Sequence, residues 1–279
     1  MDLPDGRARY YTDDVVARYL GALSATRVLL LEGLSGTGKT SLPVAVAEAM
    51  GAGCEVIEVQ SQWRDRGDLV GSYNPFHKRF YAQPFALALY RAGLPGYRER
   101  PFFIVLDELN LSHVEHYFAD VLSLLERDPR EHRLRLVDDP EALARAPFTE
   151  GLVKDPRFGW SLEIPPNVWF IGTANRDEST RPISDKVYDR AMVLELNHRA
   201  KSFPLKPQFE LLDPIGFKDL MSIFNQAAAP TPEAAPAPSM PSAEPPGPLE
   251  PGGEVGFRFI RVGTARRGIH VVVAVHLLR

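Results

Sequence analysis

Eight residues constrain this chain more than any others: Gly33-Leu34-Ser35-Gly36-Thr37-Gly38-Lys39-Thr40. An apolar run, residues 28–31, precedes them, and residues 42–50 follow with the spacing of a helix. Glycines stand where a Cβ would collide with a phosphate chain wrapped closely by backbone. The loop's N–H groups then point inward, and the helix that starts there adds the positive end of its dipole. In this pattern a lysine reaches the β- and γ-phosphates and the next hydroxyl ligates Mg²⁺. Gly33, Ser35, Gly36, Thr37, Gly38, Lys39 and Thr40 are therefore candidate nucleotide-binding residues, with Thr40 also a metal ligand. The bland alternative, a Gly-rich turn ending in a surface lysine, leaves the flanking strand and helix patterns without a reason.

The rest of the pattern alternates strands with helices. Apolar or β-branched runs at 28–31, 55–59, 102–106, 168–171 and 192–196 read as strands. Helical spacing marks 12–23, with Thr12 as cap, then 39–50, 83–91 and 112–126. In the last, Ser112 and Glu115 suit a capping box, and Val114, Phe118, Val121, Leu122 and Leu125 form one apolar stripe. Residues 61–80 read as an ordered, aromatic insertion, and 127–166 as a charged excursion of weak pattern. The alternation predicts an α/β, three-layer P-loop sandwich around a mostly parallel five-stranded sheet. Residues 1–26 form a helical lead-in, 27–200 the core, and 201–226 the start of an incomplete helical lid. Residues 227–253 carry nine prolines in 27 positions and are expected to be a disordered or polyproline-like linker. The tail, 254–279, turns abruptly to Arg, Gly and Val, as a truncated or out-of-frame end would.

Bulk properties exclude some functions. A net charge of −4 argues against non-specific nucleic-acid binding by the whole surface, though not against a local basic pore. The single cysteine, Cys54, permits no internal disulfide and suits a reducing cytoplasm. Residues 1–6 are polar, unlike a secretory leader, and no apolar run is long enough to cross a bilayer. A cytoplasmic protein without a membrane partner is expected.

A phosphate loop alone says only that a nucleotide is bound; hydrolysis also needs a metal anchor and a means of orienting water. The run Phe102-Phe103-Ile104-Val105-Leu106 ends in the acids Asp107 and Glu108, at the strand end where open α/β sheets hold ligands. Asp107 would hold Mg²⁺ through water, and Glu108 would polarise the attacking water. A second apolar strand ends Gly172-Thr173-Ala174-Asn175, so that Asn175 could touch the γ-phosphate or that water. Arg190 closes a short helix just before the last strand, where an arginine can enter a neighbouring subunit's site. Against these stand plainer readings: a solvated loop at Asp107-Glu108, a turn-forming Asn175, and an intramolecular salt bridge for Arg190.

The order of these motifs resembles AAA+ ATPases. Gly33–Thr40, 102–108, 172–175 and Asp189-Arg190 look like the family's Walker A, Walker B, sensor 1 and arginine-finger positions. Asp107-Glu108-Leu109-Asn110-Leu111-Ser112, residues 118–126, Asp68-Leu69-Val70-Gly71-Ser72-Tyr73-Asn74-Pro75 and residues 172–178 are similar to the dynein-related, McrB-type branch. The resemblance spans roughly residues 10–200. It implies a nucleoside triphosphatase that assembles into a ring, usually hexameric, with sites between subunits. It further implies Mg²⁺, ATP or, as in McrB-type members, GTP, and a separate nuclease partner in DNA restriction or phage defence. The family's lid, with a second sensor arginine, is interrupted here by the proline-rich stretch; Arg258 in Gly256-Phe257-Arg258-Phe259 is its weak counterpart. Two rivals remain: a truncated nucleotide-binding scaffold without turnover, and a P-loop kinase of small molecules.

Other constellations are weaker. His113 and His116 lie three apart with no third ligand evident, and read as helix-face histidines. Trp63, Tyr73, Phe76, Phe80 and Tyr81, among Arg64, Arg66, Lys78 and Arg79, could line a pore or pack the insertion onto the sheet. Packing is the expectation.

Overall fold

Strands with no polar face can only be buried on both sides, and the structure sets three of them side by side. The computed structural model describes residues 11–77, 79–137, 152–155, 159–176, 180–197, 214–228, 260–263 and 269–272. The core strands are β1 (Val28–Gly33), β2 (Gly53–Glu58), β3 (Phe102–Asp107), β4 (Val168–Asn175) and β5 (Met192–Glu195). They form one five-stranded sheet in the order β5-β1-β4-β3-β2, with every pairing parallel. The inner strands β1, β3 and β4 are buried almost throughout, whereas the edge strands β2 and β5 are largely half-exposed or exposed. That difference is the one expected between centre and edge of a sheet covered by helices.

Successive side chains of a strand point to opposite faces. On one face Phe170 meets Phe85 and Phe118, with ring centroids 5.7 Å away in each case. Phe85 belongs to the helix Pro84–Gly93, and Phe118 joins the short helices Val114–Tyr117 and Ala119–Leu125. On the other face Trp169 packs edge-on to Phe103 at 6.1 Å and donates from Nε1 to the Leu23 carbonyl at 2.9 Å. Leu23 lies in α1 (Asp13–Ala25), whose N-cap Thr12 accepts from the Val15 amide as expected. The second core helix, α2 (Ser41–Met50), carries Pro43 in its first turn, where no intrahelical N–H is needed, and ends at Gly51 with φ 64°.

Three expectations need correction. The helix expected over 112–126 is broken at Phe118 into two short helices, and a 3₁₀ turn, Leu109–Leu111, precedes them. The capping box does not form: His113 is the N-cap, and the Ser112 hydroxyl instead donates to the Trp63 carbonyl. The apolar stripe survives the break, because Val114, Phe118, Val121 and Leu122 are all buried. The excursion 127–166 holds a three-stranded antiparallel sheet, Arg133–Val137 and Leu152–Asp155 flanking Gly159–Glu163. Short strands whose alternate residues are charged give little periodic signal, although Leu134 and Leu162 are buried. The insertion 61–80 contains the helix Arg66–Val70, whose start is a capping box of Asp65 and Asp68, and a hairpin, Gly71–Asn74 with Arg79–Ala82. Trp63, Tyr73 and Phe80 pack into the core as expected, while Phe76, at 93%, and Tyr81 are exposed against expectation; Lys78 lies outside the described residues.

The chain divides into two units, Met1–Leu220 and Met221–Arg279. The first contains the sheet. The second contains the latter part of the helix Phe217–Ala228, a segment within and just beyond the expected lid, and a hairpin of Ile260–Gly263 with Ile269–Val272. Most of the proline-rich stretch, and Arg258, lie outside the described residues.

One buried side chain holds several elements to the sheet. Asn167, fully buried just before β4, donates from Nδ2 to the carbonyls of Ala92 (3.2 Å), Tyr97 (3.0 Å) and Arg100 (2.8 Å). Removing it takes a donor from the buried Ala92 carbonyl and from the half-buried Tyr97 and Arg100 carbonyls, so Asn167→Ala is expected to destabilise the fold by about 1–3 kcal/mol. Urea titration measures this; an unchanged midpoint would refute the clamp.

Candidate nucleotide site

The loop between β1 and α2 has the backbone its glycines imply. Gly33, Gly36 and Gly38 have φ of 146°, 76° and 89°, values that side chains disfavour. A Cβ on Gly33 would run into the Leu196 carbonyl, and one on Gly38 would come within 2.8 Å of the Tyr11 hydroxyl. Ser35 and Gly36 are exposed, and the Thr37 hydroxyl donates to the Leu34 carbonyl at 2.9 Å. The Lys39 side chain folds back along the loop and donates to the carbonyls of Gly33 (3.1 Å) and Leu34 (2.7 Å). Tyr11 donates to the Gly38 carbonyl at 2.9 Å and lies 2.7 Å from the Ser41 hydroxyl, pinning the loop's end from outside.

Asp107 joins this loop to the sheet. Its Oδ1 accepts from the Thr40 hydroxyl and from the Thr173 hydroxyl, each at 2.6 Å. Thr173 in turn accepts from the Glu108 amide at 2.9 Å. Among the described residues Glu108 is the one non-glycine at positive φ (52°), a conformation that costs about 1–3 kcal/mol and is held only by its surroundings. Here the Thr173 hydroxyl and the Leu111 amide, which donates to the Glu108 carbonyl at 2.9 Å, supply that support. The Asn175 amide approaches Glu108 Oε1 at 3.4 Å. Asn110, buried in the 3₁₀ turn, donates to the Asn175 carbonyl at 2.9 Å and sets the end of β4.

The structure thus brings together Gly33, Lys39, Thr40, Asp107, Glu108 and Asn175. Arg190 has a different set of partners: its Nε pairs with Glu126 and its Nη1 donates to the Lys186 carbonyl at 3.3 Å. Within one chain the intramolecular salt bridge is what is found. The bond to Glu126 holds the Arg190 guanidinium above its ordinary pKa. Burial, then the charges of Glu55 and Glu48, push the Cys54 thiol up to about 12.

The donor set suits the ligands that the motifs imply. Thr40 and Asp107 offer adjacent hard oxygens, the kind Mg²⁺ takes alongside waters and substrate phosphates. The glycine backbone at positive φ leaves the close approach that a phosphate chain needs.

The family profile for the AAA domain (dynein-related subfamily) matches residues 28–191. The chain belongs to that family. AAA domains are nucleotide-hydrolysing modules that commonly assemble into rings. Among solved structures, a protein provisionally named an ATPase, from Cytophaga hutchinsonii, is similar at 20% identity with a TM-score of 0.42. The likeness covers 67% of this chain and 47% of that one. No curated protein matches. Among the described residues of this AAA domain, no helix is long and apolar enough to cross a membrane.

Several residues around the AAA site gain their role only from the fold. Thr173 had a signal: it lies two before Asn175, hence on the same side of the strand. Glu32 had another, as the lone acid of the buried run Val28–Gly33. Its partners, Arg176 and Tyr188, come from far along the chain; Arg176 lies in the singled-out stretch 172–178, but nothing local pairs either residue with Glu32. Gly33→Ala tests the loop geometry: a Cβ at φ 146° facing a carbonyl is expected to cost at least about 1–3 kcal/mol. A thermal midpoint equal to that of the parent would contradict the geometry described.

Proposed function

We propose that this AAA domain hydrolyses the β–γ phosphoanhydride of a nucleoside triphosphate, ATP or GTP, with Mg²⁺. The observation that carries the reading is the pair of 2.6 Å hydrogen bonds on Asp107, which tie the phosphate loop, through Thr40, and β4, through Thr173, to the acidic strand end. Lys39 and Thr40 would position phosphates and metal, and Asp107 would support the metal. Glu108 would act on water, with Asn175 beside it sensing the γ-phosphate. Bound Mg²⁺ would neutralise charge that develops on the phosphates. Gly33, Ser35, Gly36, Thr37 and Gly38 would cradle the phosphate chain. ATP is favoured over GTP on the family's common usage.

Arg190 is proposed to act in trans, in the site of an adjacent copy within a ring, hexameric by family resemblance. That role requires release from Glu126, a partner held at a half-exposed position. Such surface pairs contribute little, so a neighbour's phosphate can compete. Similarity of residues 107–112 and 172–178 to the McrB-type branch extends the reading to a nuclease partner and DNA in restriction or phage defence. The Arg190–Glu126 pair also favours a second reading, a subunit that binds nucleotide without turnover.

Phosphate release measured across protein concentration separates the two. A ring enzyme gains specific activity on assembly, whereas a scaffold binds nucleotide and stays silent. Lys39→Ala is expected to abolish nucleotide binding. Glu108→Gln is expected to retain binding and lose at least about a hundredfold in turnover. Parental turnover in Glu108→Gln would overturn the catalytic assignment.

A further inference from the structure

The carboxylate of Glu32 is 2% exposed and sits one residue before the phosphate loop. Each of its oxygens is used. Oε2 accepts from Arg176 Nε at 3.0 Å and Nη2 at 2.8 Å, and Oε1 accepts from the Tyr188 hydroxyl at 2.7 Å. Arg176 follows Asn175 directly and also reaches Glu195 at the end of β5, at 2.6 Å. Tyr188 ends the short helix Asp185–Tyr188, two residues before Arg190. The Glu32 backbone takes part as well, since its carbonyl accepts from the Leu196 amide at 2.7 Å.

A buried acid inside an apolar strand is costly unless satisfied, and stability alone would be met as well by a leucine there. What the acid adds is direction: charge-assisted bonds fix geometry tightly. Gly33, the next residue, offers the carbonyl that holds Lys39. A shift of the loop that moves β1's end is therefore carried through one side chain to two places. One is the end of β4 bearing Asn175; the other is the turn bearing Arg190.

We propose that Glu32 is a positioning residue that couples occupancy of the phosphate loop to the Arg190 turn, through Tyr188, and to Asn175, through Arg176. The site's own nucleotide would then set the arginine offered to the adjacent copy. This rests on the nucleotide reading above. Glu32 and Tyr188 touch no reacting atom in it; they act through the residues they hold. Glu32→Gln removes the charge and leaves one acceptor oxygen where Arg176 and Tyr188 each need one, so neither arm keeps its geometry. Tyr188→Phe removes the Tyr188 arm alone and leaves the packing.

The test is amide hydrogen exchange on the full chain, with and without a non-hydrolysable ATP analogue and Mg²⁺, alongside kcat and nucleotide affinity. In the parent, the analogue is expected to slow exchange at residues 34–40 and also at 185–191, the latter by about tenfold, the size of a modest coupling between sites. In Tyr188→Phe and Glu32→Gln the loop response is expected to persist and the 185–191 response to vanish. In both, kcat should fall about tenfold with nucleotide affinity within about threefold. The double variant should lose little beyond either single change, because both interrupt one connection. Unchanged responses at 185–191 in the variants would overturn the coupling, as would loop protection in the parent without any response there. Absence of loop protection in the parent would sink the nucleotide reading itself, and the coupling with it.

Discussion

The carboxylate of Asp107, with two hydroxyls on one oxygen, is the point on which the site depends. Thr40 closes the phosphate loop, and Thr173 stands near the C-terminal end of a strand more than a hundred residues later. Their convergence requires that β1, β4 and β3 lie side by side in that order, with parallel registers that bring their C-terminal ends level. Three nearly all-apolar strands satisfy that requirement cheaply, because each can be buried on both faces only between neighbours of the same kind. The chemistry at the strand ends is thus placed by the hydrophobicity of the strand bodies.

Glu108 shows the cost of that placement. To turn away from Asp107 at once, the chain adopts φ 52° at a residue with a full side chain. Thr173 and Leu111 hold the backbone there, and Asn175 meets the carboxylate. The strain and its support sit at one strand end, where a rigid carboxylate would be useful to a hydrolase. Glu32 repeats the theme on β1, two strands away, as a buried charge retained for what it orients.

Much of this was legible in the residues. The loop announces itself through glycines, lysine and threonine at fixed offsets, since phosphate geometry admits few alternatives. The five strands were legible because inner strands of a parallel sheet are continuous apolar runs. The break at Phe118 was not, since the apolar stripe keeps helical spacing across it. Nor was the antiparallel sheet around Gly159–Glu163, whose strands are short and charge-interrupted. In the aromatic insertion, composition could not tell that Trp63, Tyr73 and Phe80 would be packed and Phe76 left in water.

The chain's sequence by itself determined the phosphate loop, the acidic pair after an apolar strand, and the α/β alternation, because each is written within a few consecutive residues. Only the tertiary structure decided that Thr173 would bridge Asp107 to Glu108, that Arg190 would meet Glu126, and that Glu32 would gather Arg176 and Tyr188. Those contacts join segments tens to more than a hundred positions apart, and their partners follow from sheet order and register. Local periodicity carries no record of either.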